Sequence, residues 1–129
     1  MSILFMERSG PIGERMVELI IERFEKAEII RITSEEMAAA FLMKEKPAVL
    51  FLDIKFPVNS LVLFITSCKE WCPSMQIVVM YILRDEVLLE KCRNAGVQHF
   101  LDKYEQFDQV VEILNDIFST QEQNSNKVN

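Results

Sequence analysis

The sequence predicts an α/β protein, one domain in which a five-stranded parallel sheet is covered by helices on both faces. Apolar runs of strand length alternate with longer segments whose apolar residues recur at helical spacing, and the alternation repeats five times. The runs in mid-chain are apolar without interruption, as strands buried on both sides are. Length sets the domain count: 129 residues, half of them apolar, fill one sizeable core and not two.

The first strand is expected over residues 3–6. Gly10 and Pro11 then open a helix, since a proline at the first helical position gives up an N–H that has no partner there anyway. Met16, Leu19, Ile20 and Phe24 form its apolar stripe. A second strand over 29–32 runs into Thr33-Ser34-Glu35-Glu36, where Thr33 can cap the next helix and Glu36 can reach back to complete a capping box. That helix spans about 34–45, and its run from Met37 to Met43 reads as core. After Pro47, residues 48–52 make a continuous apolar strand that stops at Asp53.

The third helix, about 59–71, carries Leu63, Phe64 and Cys68 and stops before Pro73. A fourth strand over 77–80 and a fourth helix over 84–94 follow, with Gly96 as a left-handed cap after the helix. The last strand is expected over 97–101. From Gln106 onward Phe107, Val110, Val111, Leu114 and Phe118 recur at helical spacing. The domain thus reads as residues 1–120, with 121–129 a polar disordered tail or the start of a linker. Right-handed crossovers over five such units give a flavodoxin-like three-layer sandwich.

Charge and cysteine usage narrow the function. Fourteen Lys plus Arg against twenty Asp plus Glu leave a net charge of −6, which disfavours nucleic acid and anionic membranes as partners. Cys68, Cys72 and Cys92 are an odd number, and the spacing of the first two suits one helical face, so free thiols in a reducing cytoplasm are expected. The apolar start of the chain meets Glu7 and Arg8 too early for a signal-peptide core, and no apolar run approaches the ~18 residues of a membrane span.

In open parallel sheets ligands bind beyond the carboxyl ends of the strands. The residues there are Glu7 and Arg8, Asp53, Tyr81 and Ile82, and Lys103. The stretch PAVLFLDIKFP resembles the signature of response-regulator receiver domains, in which a buried strand delivers a phosphoacceptor Asp and a Pro follows four residues later; Asp53 and Pro57 match. The stretch AGVQHFLDK resembles the family's closing motif of a Gly, an aromatic-bearing strand and a Lys seven residues after the Gly. Gly96, Phe100 and Lys103 match it. The likeness covers nearly the whole chain.

That resemblance implies a two-component signalling domain and not an enzyme. In the family the Asp accepts a phosphoryl group from a sensor histidine kinase, two acids after the first strand hold a divalent metal, and the Lys adds positive charge; phosphoryl transfer depends chiefly on such positioning and electrostatics. Three departures make this an atypical member. Arg8 stands where the second acid belongs, so Glu7 and Asp53 alone remain as metal ligands. Little or no Mg²⁺ binding is expected, because Mg²⁺ needs hard oxygen ligands and a fixed cation repels it. Arg8 is instead expected to pair with Asp53 as a permanent substitute for the metal.

Tyr81 occupies the position of the family's Ser/Thr, placing its hydroxyl about 4 Å further out and obstructing the inward rotation of Phe100, the switch aromatic. Tyr104 and Leu61 replace a common Pro and Gly. The expected function is a protein-interaction module with impaired phosphorylation, with possible dimerisation through the fourth and fifth helices and the last strand, including Val110 and Val111. The alternative is an active Asp53 phosphoacceptor using Glu7 for metal. A flavodoxin-like carrier or enzyme would need a glycine-rich phosphate loop, and the chain has only three glycines. His99, the one histidine, reads as a sheet-edge residue, and Trp71 as buried.

Overall fold

The computed structural model describes residues 1–7 and 10–127, with side chains described as far as residue 120. Five strands and five helices alternate: β1 (Ser2–Met6), α1 (Pro11–Arg23), β2 (Glu28–Ile32), α2 (Glu35–Lys44), β3 (Val49–Asp53), α3 (Leu61–Trp71), β4 (Gln76–Tyr81), α4 (Glu86–Asn94), β5 (His99–Asp102) and α5 (Val110–Lys127). A short 3₁₀ turn, Phe107–Gln109, leads into α5. The strands form one parallel sheet in the order β2-β1-β3-β4-β5. The α/β class and the strand count expected from the sequence are therefore those observed.

The pleat divides the apolar residues of each strand between two cores. Leu4, Met6, Leu50, Leu52, Ile77 and Val79 face α2, α3 and α4. Ile3, Phe5, Val49, Phe51, Val78 and Met80 face α1 and α5. Every residue of β3 is buried, which is why its run shows no alternation. Phe5 and Phe51 stack across the β1–β3 pair with centroids 4.6 Å apart, an arrangement worth about 0.5–1.5 kcal/mol beyond the area it buries.

Local signals set the helix ends. Ser34, Ser60 and Asp85 each accept a backbone N–H three residues on, from Met37, Leu63 and Leu88. The cap of α2 is thus Ser34, not Thr33, because the backbone is still extended at Ser34; Thr33 Oγ1 meets the Met37 sulfur instead. Gly96 ends α4 with φ +112°, as its expected cap role requires.

Other expectations need correcting. Met37 and Met43 are exposed, and α2 packs through Ala38 and Leu42. Trp71 is half-buried against the first core rather than enclosed. Val110 is fully buried in the second core, with Val111 packed against it, so Val110 is no part of an outer face. Of the segment expected as a disordered tail or the start of a linker, α5 takes in residues 121–127, and 128 and 129 lie outside the described residues. No helix among the described residues is long and apolar enough to cross a membrane.

Candidate functional site

Because all five strands point the same way, the residues that follow them collect at one end of the sheet. Register makes the convergence tight: Met6 pairs with Leu52, Asp53 with Met80, and Tyr81 with Asp102. Glu7 and Lys103 therefore stand one residue beyond β1 and β5, on either side of Asp53 at the end of β3. The Lys103 backbone N–H donates to the Tyr81 carbonyl at 2.8 Å, extending the β4–β5 ladder by one bond and fixing where the lysine side chain starts.

The three side chains form a buried ion cluster. The Lys103 ammonium donates to Asp53 Oδ2 at 2.8 Å and lies 3.6 Å from Glu7 Oε1. Asp53, Lys103 and Glu7 are 7%, 6% and 7% exposed, the only buried charged residues among those described. Asp53 Oδ1 accepts the Lys55 backbone N–H at 2.8 Å, so both of its oxygens are engaged. Glu7 is less well served. Its Oε2 is buried without a hydrogen-bond partner among the described residues. Burial raises the Glu7 pKa above the ordinary glutamate value; the Lys103 ammonium opposes the rise, the Asp53 carboxylate adds to it, and Arg31 opposes it.

Sequence reasoning thus placed Asp53, Lys103 and Glu7 at one site, and the structure brings all three together. Arg8, expected to pair with Asp53, lies outside the described residues. Tyr81 is in the site's wall: its ring is 4% exposed and its hydroxyl accepts from Arg84 Nη1 at 3.0 Å, which gives the polar tip a partner at the surface. Phe100 is half-buried against the same core as Tyr81, with the Arg93 guanidinium 5.0 Å over its ring. His99 is half-buried on the edge strand β5, where burial lowers its pKa, against Asp116 and with Lys69. It lies at the amino end of β5, away from Asp53, and lines a cavity of about 610 Å³ with Ala48, Gln76, Asp116 and Thr120.

One participant escaped the sequence. Gly13, in the first turn of α1, receives the Glu7 carboxylate: a Cβ at that position would stand 2.0 Å from Oε2. The signal available was a glycine inside a helical pattern, which destabilises a helix and asks for a packing reason.

The divalent ion implied by the resemblance finds a poor donor set here. Asp53 has an N–H on one oxygen and an ammonium on the other, Glu7 turns one oxygen into the space over Gly13, and the Lys103 ammonium contacts both acids. Among the described residues no three His, Cys, Asp or Glu side chains come together as a metal-ligating group. In this arrangement an Mg²⁺ ion, which is commonly held by one or two carboxylates and several waters, would compete with the Lys103 ammonium for the same carboxylate oxygens.

No protein-family model matches the sequence, and no curated protein does. Solved structures do match. A CheY-like response regulator receiver domain protein from Methanospirillum hungatei JF-1 superposes with a TM-score of 0.81 at 17% identity, covering 95% of this chain and 97% of that one. A response regulator from Thermotoga maritima gives 0.76 at 23% identity, over 92% and 97% of the two chains. A two-component response regulator from Clostridium difficile gives 0.79 at 15% identity, over 92% and 95%. Likeness of this extent at such low identity speaks to architecture, and with the strand order and register above it establishes that the chain has the fold of CheY-like response-regulator receiver domains.

Proposed function

We propose that the chain is the receiver domain of a response regulator, an atypical one that acts in the cytoplasm as a protein-interaction module of two-component signalling. Its partner would be a sensor histidine kinase or another signalling protein, with the acidic surface arguing against nucleic acid. The observation that carries the receiver reading is the Lys103 ammonium in direct contact with Asp53 and beside Glu7, in a cluster shielded from water; the atypical part rests on Arg8 and Tyr81, which stand where the family has an acid and a Ser/Thr. Receiver folds place their phosphoacceptor at that strand end, and a lysine of the chain pairs with the acid there. Arg8 belongs to the same proposal on sequence grounds, as a second fixed cation next to Glu7. Tyr81, wedged in the core with Phe100, would hold the switch aromatic in one rotamer.

Titration with beryllofluoride or acetyl phosphate in the presence of Mg²⁺ tests it, read by Trp71 fluorescence and intact mass. Unchanged fluorescence and mass are expected. A mass gain of one phosphoryl group that disappears in Asp53→Asn would instead establish an active phosphoacceptor.

A further inference from the structure

Gly13 is a costly residue for its position. It sits in the first turn of α1, where alanine would stabilise the helix better. Backbone geometry does not require it, since Gly96 is the only described glycine with positive φ. What Gly13 supplies is room. A Cβ built on it would lie 2.0 Å from Glu7 Oε2, 2.2 Å from Oε1 and 2.4 Å from the carboxyl carbon, so the carboxylate fills the volume that any other side chain would take. The Glu7 side chain is 1% exposed there, its Oε2 has no hydrogen-bond partner among the described residues, and its described ion-pair partner is Lys103.

The geometry points to Gly13 as a residue that tunes the cation chemistry of the site: by housing the Glu7 carboxylate against α1, it keeps Oε2 out of the ion cluster and leaves only Oε1 beside the Lys103 ammonium. This deepens the function proposed above and rests on it. A side chain at position 13 and a carboxylate in the same space exclude each other. With the slot filled, the Glu7 carboxylate has to leave it, which frees both of its oxygens on the Asp53 side to serve with that acid as hard ligands for a divalent cation of the Mg²⁺ or Mn²⁺ class. Shortening the acid has the same effect from the other side, because an aspartate at position 7 is one methylene too short to enter the slot.

The test is an Mn²⁺ titration of the full chain, followed by loss of the electron-paramagnetic-resonance signal of free Mn²⁺. Gly13→Ala and Glu7→Asp are compared with the wild type, and Gly13→Ala/Asp53→Asn serves as control. Each single variant is expected to bind Mn²⁺ at least about tenfold more tightly than the wild type, through the carboxylate it gains, and the Asp53→Asn change should abolish the gain. Far-UV circular dichroism reports folding; should Gly13→Ala not fold, Glu7→Asp decides alone. Weak wild-type binding with no gain in a folded variant overturns the role of Gly13 and leaves the proposed function standing. Tight wild-type binding overturns the proposed function, and the tenfold comparison still decides Gly13.

Discussion

Replacing Lys103 by methionine, which keeps most of the length of the side chain and removes its charge, should be among the most damaging single changes to this fold. The ammonium is 2.8 Å from Asp53 and 3.6 Å from Glu7, and all three residues are more than nine-tenths buried. At an effective dielectric of about 20, unit charges about 4 Å apart attract by about 4 kcal/mol. Removing one partner of a buried pair commonly costs about 3–5 kcal/mol, because the remaining charge stays in a medium that solvates it poorly. Here two carboxylates are left behind. With a urea m-value of about 1.5–2 kcal/mol/M for a domain of this size, the unfolding midpoint at pH 7.5 should drop by about 2 M. The loss should shrink on acidification. Glu7 already binds its proton more tightly than an ordinary glutamate; without the ammonium it does so more strongly still, and near pH 5 the bound proton replaces part of the missing charge. Urea unfolding followed by circular dichroism at pH 7.5 and pH 5 measures both effects. A midpoint change under about 0.5 M at pH 7.5, or a loss independent of pH, would refute the buried ion cluster as the organising feature of the site.

Two further outcomes follow from single residues. Because the Glu7 pKa is raised on folding, its contribution to stability is fully present below the unfolded value of 4.5 and is lost as pH rises through the folded value. Glu7→Gln cannot ionise, so it should gain on the wild type as pH rises from 4.5 to 7.5; parallel pH profiles of the two urea midpoints would contradict this. Gly96→Ala should cost about 1–2 kcal/mol and about 3–8 °C of melting temperature, purely through its φ of +112°, since the added methyl would meet the Lys69 side chain at an ordinary 3.5 Å. An unaltered melting curve would show that the turn relaxes.

What the sequence disclosed and what it withheld divide along physical lines. The strand at Val49–Asp53 was legible because an unbroken apolar run stopping at an acid has few other meanings. The meeting of Asp53, Lys103 and Glu7 was legible because parallel strands bring their carboxyl ends to one edge. The cap of α2 was not, since Thr33 and Ser34 carry equivalent hydroxyls and only the backbone angles select between them. Nor was the buried side of α2: EEMAAAFLMK has apolar residues around most of its circumference, so periodicity does not tell Met37 from Ala38. The Glu7–Gly13 contact joins the end of a strand to a helix across an intervening loop, and no local pattern encodes that distance. Helical backbone in α5 beyond residue 120 carried no apolar period to announce it.

The Lys103 ammonium is part of the chain, and the backbone N–H of the same residue, bonded to the Tyr81 carbonyl, fixes where its side chain starts. A tethered ammonium has an effective concentration set by geometry rather than by the surroundings. Chelators do not strip it, and a cell depleted of magnesium leaves it in place. The positive charge beside Asp53 is thereby inherited at folding, as a fixed property of the polypeptide.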